Sequence, residues 1–322
     1  PNSDEDQFAL IWKEANKRFD EYGNDKVVGT NGFYAMKAHW NEHPDRDEAW
    51  AEAERSRIGE ERFRREHECE FLIFDETLIS SITLADMEGV APVETTGQVR
   101  WFKRPTPGHT YLVSLDPSMG TGGDYAAIQV FELPTFEQVG EWHHNQTPMN
   151  QQIRILQGIN KHIHDTIMEK DSTATPQIFY SMENNTIGEA ALMRVMDIGE
   201  ENIVGMFLSE PIRKGHRRKF RRGFNTTAKH KIDACTKFKE LVEGGKMKIN
   251  SQLLISEMKD FVASGLSYKA KPGQHDDLVS SCLLMTRMMK VLADFDPKIF
   301  EKWTDRTSEL TTPMPIFGNF YG

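Results

Sequence analysis

The chain has 322 residues, of which 38% are hydrophobic, and a formal charge of −10. That length buries a full core and leaves room for about two domains. No run approaches the roughly 20 consecutive apolar residues that cross a bilayer, and no charged-then-apolar leader opens the sequence, so a cytosolic protein with no membrane partner is expected. Cys69, Cys235 and Cys282 lie far apart and form no C-x-x-C pair, which argues against a disulfide framework or a zinc ribbon and fits a reducing compartment. A net negative charge would by itself oppose nucleic acid, so the placement of charge matters more than its sum.

Residues 1–75 read as mainly helical. Phe8, Ile11, Trp12 and Ala15 recur at helical spacing, and a second amphipathic stretch runs from Glu48 to Phe63. This part begins at Pro1 and carries no Gly-x-x-x-x-Gly-Lys-Ser/Thr loop, so it reads as an incomplete piece of a larger domain. Residues 76–108 read as a linker, polar and broken by prolines toward Gly108. An alternating α/β region then occupies 109–293, and a tail with prolines and aromatics occupies 294–322.

Within 109–293 the pattern predicts a strand at Tyr111 to Leu115, a glycine-rich turn, strands at Tyr125 to Leu133 and Phe136 to Trp142, and a long helix from Met149 to Lys170. A fourth strand at Gln177 to Met182, a helix at Ile187 to Met196 and a fifth strand near Ile203 to Phe207 follow. Helices from Thr227 to Glu243 and from about His275 close the region. Three antiparallel strands followed by helix-crossed strands imply an α/β, ribonuclease H-like fold: a mixed five-stranded sheet flanked by helices.

Asp116 is expected at the end of the first strand and Glu183 at the end of the fourth, which this topology sets side by side. Asp276 and Asp277 open the last helix. Carboxylates are hard ligands for Mg²⁺ or Mn²⁺, and three acids from three elements can hold two ions for phosphodiester hydrolysis. Each acid alone has an innocent role, as turn starter, solvated strand end or helix cap. The metal reading rests on their occurring together.

Pro211 to Arg222 reads PIRKGHRRKFRR, with Arg213, Lys214, Arg217, Arg218, Lys219, Arg221 and Arg222 and no acid. A solvated loop is the ordinary fate of such a run. Gly215, Phe220 and Gly223 suggest a hairpin instead, one that projects the charge toward phosphates.

The stretch FKRPTPGHTYLVSLDPSMGTGGDYAAIQVFEL, the element Glu183-x-Asn185-x-x-Gly188 and HDDLVSS from His275 resemble, in order, the nuclease motifs of tailed-phage large terminase subunits. The opening PNSDEDQFALIWKEA, with FRREHECEF and ETLIS, resembles the end of that family's ATPase domain. The resemblance implies that Asp116, Glu183 and one or both of Asp276 and Asp277 bind metal, with Asp276 favoured. It also implies that Asp124 is a further acid near the site, and that Asn185 and Gly188 shape the turn. A nuclease cutting concatemeric duplex DNA with little sequence preference is expected, without ATPase activity of its own. The implied partners are double-stranded DNA, the portal and the small terminase subunit, in the host cytoplasm and transiently at the procapsid portal, with oligomers only in the assembled motor.

Two other readings stay open here. A ribonuclease H-like resolvase or transposase would share the acids, and a non-catalytic docking module of the motor would use them only as caps. His275 could orient a carboxylate or simply lie at the surface, and His143-His144 has no partner at metal spacing in sequence. Met285, Met288 and Met289 read as core.

Overall fold

The computed structural model describes residues 7–18, 27–70, 76–210, 222–265 and 267–295. The chain divides into two compact units, Pro1–Met87 and Glu88–Gly322.

The first unit carries helices α1 (Gln7–Asn16), α2 (Glu48–Ile58), α3 (Glu60–His67) and α4 (Ser81–Asp86). The stretch read as one amphipathic helix is two, because Gly59, at φ +85°, ends α2 and turns the chain into α3. Asp47 caps α2, accepting from the Trp50 amide at 2.8 Å. Trp40, Ala51 and Phe63 form a small core against Trp50 and Ile58. Arg55 lies over the Phe63 ring at 4.4 Å and pairs with Glu68 at 2.9 Å, so one side chain both covers that core and ties α2 to the end of α3.

The second unit is built on β1 (Glu94–Thr96), β2 (Val99–Trp101), β3 (Thr110–Asp116), β4 (Ala126–Leu133) and β5 (Glu137–His144). Helix α5 (Met149–Lys170), β6 (Gln177–Met182), α6 (Thr186–Ile198) and β7 (Met206–Phe207) follow. The unit continues with α7 (Ala228–Glu243), α8 (Gln252–Asp260), the hairpin β8 (Phe261–Ser264) and β9 (Ser267–Ala270), and α9 (Asp277–Phe295). Among the described residues the main sheet has seven strands in the order β1-β2-β5-β4-β3-β6-β7. β3 is antiparallel to β4 and parallel to β6, so the expected mixed, ribonuclease H-like arrangement is present. The expected five strands are joined by β1 and β2, a hairpin that extends the sheet beyond β5 and lies inside the stretch read as linker. The fifth strand shortens to two residues because Glu200–Asn202 closes a 3₁₀ turn first.

Every residue of β4 is buried, as a strand covered on both faces must be. On one face Ile153, Leu156, Ile159 and Ile163 of α5 and Leu192 of α6 pack against Val113, Leu115, Ile128 and Val130. On the other, α9 lies on β3 and β4. Its burial of Leu278, Val279, Cys282, Met285, Met288 and Met289 accounts for the methionines as core. Among the described residues no helix is long and apolar enough to cross a membrane.

Candidate active site

The register of β3 and β6 pairs Leu115 with Met182, so Asp116 and Glu183 leave adjacent strands side by side. The Glu183 amide donates to the Leu115 carbonyl at 3.3 Å. Beyond it the chain turns at once into α6. Asn185 caps that helix through the Gly188 amide at 2.8 Å, and its side-chain nitrogen donates to Glu183 Oε2 at 3.1 Å. A Cβ at position 188 would collide with the Glu183 carbonyl oxygen, which is why the turn needs glycine there. Asn185 and Gly188 therefore shape the turn, and Asn185 also aims the Glu183 carboxylate.

Asp276 and Asp277 arrive on the first turn of α9, docked against β3. The Tyr125 amide, at the entrance to β4, donates to Asp277 Oδ2 at 3.3 Å. His275 Nδ1 stands 3.7 Å from the same oxygen, and Lys231 Nζ of α7 stands 3.8 Å from Asp276 Oδ2. Asp124 is exposed on the turn between β3 and β4, and it acts on Asp277 through charge rather than contact.

The electrostatics record the crowding. Burial pushes the Asp116 carboxyl well above the ordinary carboxylate range; the charges of Glu183, Asp277 and Asp276 push it further, and a hydrogen bond with Glu183 favours its protonated form. Asp277 is pushed up to about 6, chiefly by burial, against the opposing Tyr125 amide and with Asp276 and Asp124 adding repulsion. Such mutually perturbed acids at the ends of packed strands mark a functional site more often than a structural one. Among the described residues, no three or more His, Cys, Asp or Glu side chains are gathered tightly enough to hold a metal ion. The all-oxygen, acid-rich donor set nevertheless fits a hard divalent cation, whose charge would offset the repulsion.

Of the basic segment, 211–221, with Arg213, Lys214, Arg217, Arg218, Lys219 and Arg221, lies outside the described residues. Its two ends are described. The Glu210 amide donates to the Gly223 carbonyl at 3.2 Å, Asn184 Nδ2 donates to the Arg222 carbonyl at 2.7 Å, and the Asn184 amide donates to the Phe224 carbonyl at 2.7 Å. The Arg222 end is thus bonded to Asn184, one residue from Glu183, and Glu210 is tied to that end through Gly223. The Arg222 guanidinium pairs with Glu200 and lies 6.0 Å from the centre of the Phe207 ring, so it anchors this base.

The sequence motifs of the site lie within one stretch of the chain. A sequence model described as "Terminase RNaseH-like domain" matches residues 113–288, more than half of the chain. The chain belongs to the terminase RNaseH-like family. Several solved terminase nucleases are similar to it. The magnesium-bound large terminase nuclease of thermophilic phage G20c is 17% identical, with a TM-score of 0.49 over 66% of this chain and 97% of that one. The Thermus phage P74-26 nuclease domain is 18% identical, with a TM-score of 0.45 over 63% and 90%. The manganese-soaked, inhibitor-bound nuclease domain of the human cytomegalovirus terminase is 13% identical, with a TM-score of 0.42 over 65% and 93%.

Within this terminase domain, sequence reasoning missed Glu257 of α8 and Lys231 of α7. Glu257 Oε2 accepts the amides of Leu278 at 2.8 Å and Val279 at 3.2 Å, directly after the acid pair. Neither residue lies in a motif. Lys231 is one of several lysines along α7, and nothing in the local sequence sets it apart.

Proposed function

We propose that this terminase domain is a Mg²⁺- or Mn²⁺-dependent endonuclease that cuts concatemeric double-stranded DNA during genome packaging. The observation that carries the reading is the register that leaves Asp116 and Glu183 side by side at the ends of β3 and β6, with Asp276 and Asp277 at the start of α9 packed on β3. Asp116, Glu183, Asp276 and Asp277 would hold two divalent ions, with Asp124 as an outer acid. Ions bound there would supply the charge that generates an attacking hydroxide and stabilises the leaving 3′ oxygen. The residues' own tasks are to hold that geometry: Asn185 aims Glu183, the Tyr125 amide holds Asp277, and Lys231 adds positive charge beside Asp276 where the phosphate's negative charge must be met.

Arg213, Lys214, Arg217, Arg218, Lys219 and Arg221 are proposed to contact the DNA backbone, a mode that carries little sequence preference. The Arg222 carbonyl, at the described end of the run, accepts from Asn184 beside Glu183, which supports this. Residues 1–75 are read as the end of the ATPase half, 76–108 as the passage, 109–293 as the nuclease and 294–322 as a tail. The portal and the small terminase subunit are the proposed partners, with oligomers forming only in the assembled motor. The proposed setting is the host cytoplasm, transiently at the procapsid portal.

The test is nicking of supercoiled plasmid by the purified chain in Mn²⁺, with Asp116→Ala and Glu183→Ala as controls. Cleavage of linear duplex that both variants abolish while remaining folded is expected. Preference for a four-way junction or an RNA-DNA hybrid would favour a resolvase-type enzyme. No metal-dependent nicking would leave a docking module.

A further inference from the structure

Asp276 occupies the position from which an aspartate ordinarily caps its own helix. Its carbonyl accepts the Ser280 amide at 2.8 Å, the first intrahelical bond of α9, which makes Asp276 the N-cap residue and Leu278 and Val279 the second and third residues of the helix. An N-cap aspartate normally turns its carboxylate onto the amides at those two positions. Here a different residue takes them. Glu257 Oε2, reaching over from α8, accepts Leu278 N at 2.8 Å and Val279 N at 3.2 Å. The Asp276 carboxylate faces Lys231 Nζ at 3.8 Å instead and acts on Asp116 through space.

We infer that Glu257 is a surrogate cap: by satisfying the two amides that would otherwise recruit Asp276, it releases the Asp276 carboxylate to the acid cluster. The inference rests on the reading of that cluster as a metal site. The arrangement explains how an aspartate can sit at a helix start, where its carboxylate would ordinarily cap, and still face the acid cluster. It also fixes α9 from outside. Glu257 Oε1 lies 3.6 Å from His143 Nε2, and His143 is stacked on Tyr125 with ring centres 4.0 Å apart. Since the Tyr125 amide holds Asp277, the two acids are braced from both α8 and the start of β4. Burial pushes the Glu257 carboxyl up to about 9, against the pull of the Val279 amide and with Asp277 and Glu141 adding repulsion. Glutamine is therefore close in shape and charge to the form present at neutral pH, and it keeps the accepting oxygen.

The discriminating measurement is Mn²⁺ binding by calorimetry on the full chain, alongside its thermal midpoint. Glu257→Leu removes the acceptor and should weaken Mn²⁺ binding tenfold or more, the range typical when a group supporting a ligand is lost. Glu257→Asp withdraws the carboxyl by one methylene, should weaken binding in the same direction, and serves if the leucine variant does not fold. Glu257→Gln should stay within about threefold of the parent. Asp276→Asn should weaken binding in the parent but add little in the Glu257→Leu or Glu257→Asp background, because there Asp276 has already turned onto its own helix. Parental Mn²⁺ affinity in both Glu257→Leu and Glu257→Asp, or effects of Glu257 and Asp276 that simply multiply, would overturn the surrogate cap while leaving the metal site intact. A parent chain that binds no Mn²⁺ would overturn the metal reading itself, and the inference with it.

Discussion

Ser114 in the middle of β3 and Ser281 in the second turn of α9 are bonded to each other twice over. The Ser114 hydroxyl donates to the Ser281 carbonyl at 2.9 Å, the Ser281 hydroxyl donates to the Ser114 carbonyl at 3.1 Å, and the two hydroxyl oxygens stand 2.8 Å apart, fully buried. One partner sits two residues before Asp116 and the other four residues after Asp277. The pair therefore sets the distance at which the helix presents its acids to the strand end.

Small side chains allow that approach, so enlarging one should separate the acids. Ser281→Val would lose its bond to the Ser114 carbonyl and overfill the contact, at a cost of about 1–3 kcal/mol. Ser281→Ala should cost about 1 kcal/mol, since Ser114 keeps its own bond to the Ser281 carbonyl. Urea unfolding reports the stability, and plasmid nicking should fall more in the valine variant than stability alone explains. Equal nicking by the two folded variants would show that helix spacing does not limit the site.

A second consequence concerns Asp116 in the absence of metal. Its folded-state pKa lies well above the ordinary 3.8, so the folded chain penalises the charged form. The penalty sets in as pH rises above that value and persists at neutral pH. Asp116→Asn should thus raise the thermal midpoint in EDTA, whereas most substitutions of partly buried polar groups lower it. Mn²⁺ should stabilise the parent, by ~2.7 kcal/mol at a hundred times Kd, and leave the variant nearly unmoved. Scanning calorimetry with EDTA and with Mn²⁺ measures both, and a variant that still gains stability from Mn²⁺ would remove Asp116 from the ligand set.

Asp116 and Glu183 were legible because each ends a short, mostly apolar run, and the order of strands and crossover helix places those two runs together. Helix α5 was legible for the same local reason, its apolar residues recurring at helical spacing over six turns. Glu257 was not. Its role exists only once α8 docks beside the start of α9, a contact twenty-one residues apart in sequence that no local pattern encodes. β1 and β2 were hidden by brevity, because three-residue strands cannot show an alternation.

Away from the site, Glu137 at the start of β5 should make the fold acid-sensitive. Burial alone would raise its pKa, but bonds from Lys248 at 2.6 Å, Lys103 at 3.0 Å and Asn250 at 3.3 Å outweigh it and bring the carboxyl from an ordinary 4.5 down to about 2. A folded pKa below the unfolded one gives stability that is present above pH 4.5 and lost as pH falls toward 2. Glu137→Gln should cost about 1 kcal/mol at neutral pH after allowance for screening by solvent. The gap between parent and variant should close over that acid range. Unfolding midpoints of the pair across a pH series check this, and a gap that stays constant would assign the cost to packing rather than charge.

The basic segment yields the most quantitative test. Arg222 is engaged by Glu200 at the base, so it is set apart from Arg217, Arg218 and Arg221. If each of those three neutralises one phosphate of duplex DNA, each lost contact flattens the plot of log K against log salt by about 0.9. The triple alanine variant should therefore lower the slope by up to ~2.7 and weaken binding alike for unrelated sequences. Mn²⁺ affinity should survive, because cations are not ligands for a cation. Arg222→Ala should act differently. Losing the pair with Glu200 loosens the base beside Asn184, so it should reduce cleavage more than it changes the salt slope. Anisotropy titrations over a salt series, run beside nicking assays, separate the two effects. An unaltered slope in the triple variant would mean that these arginines are a solvated run, and the DNA path would then have to be sought on the face carrying Lys231.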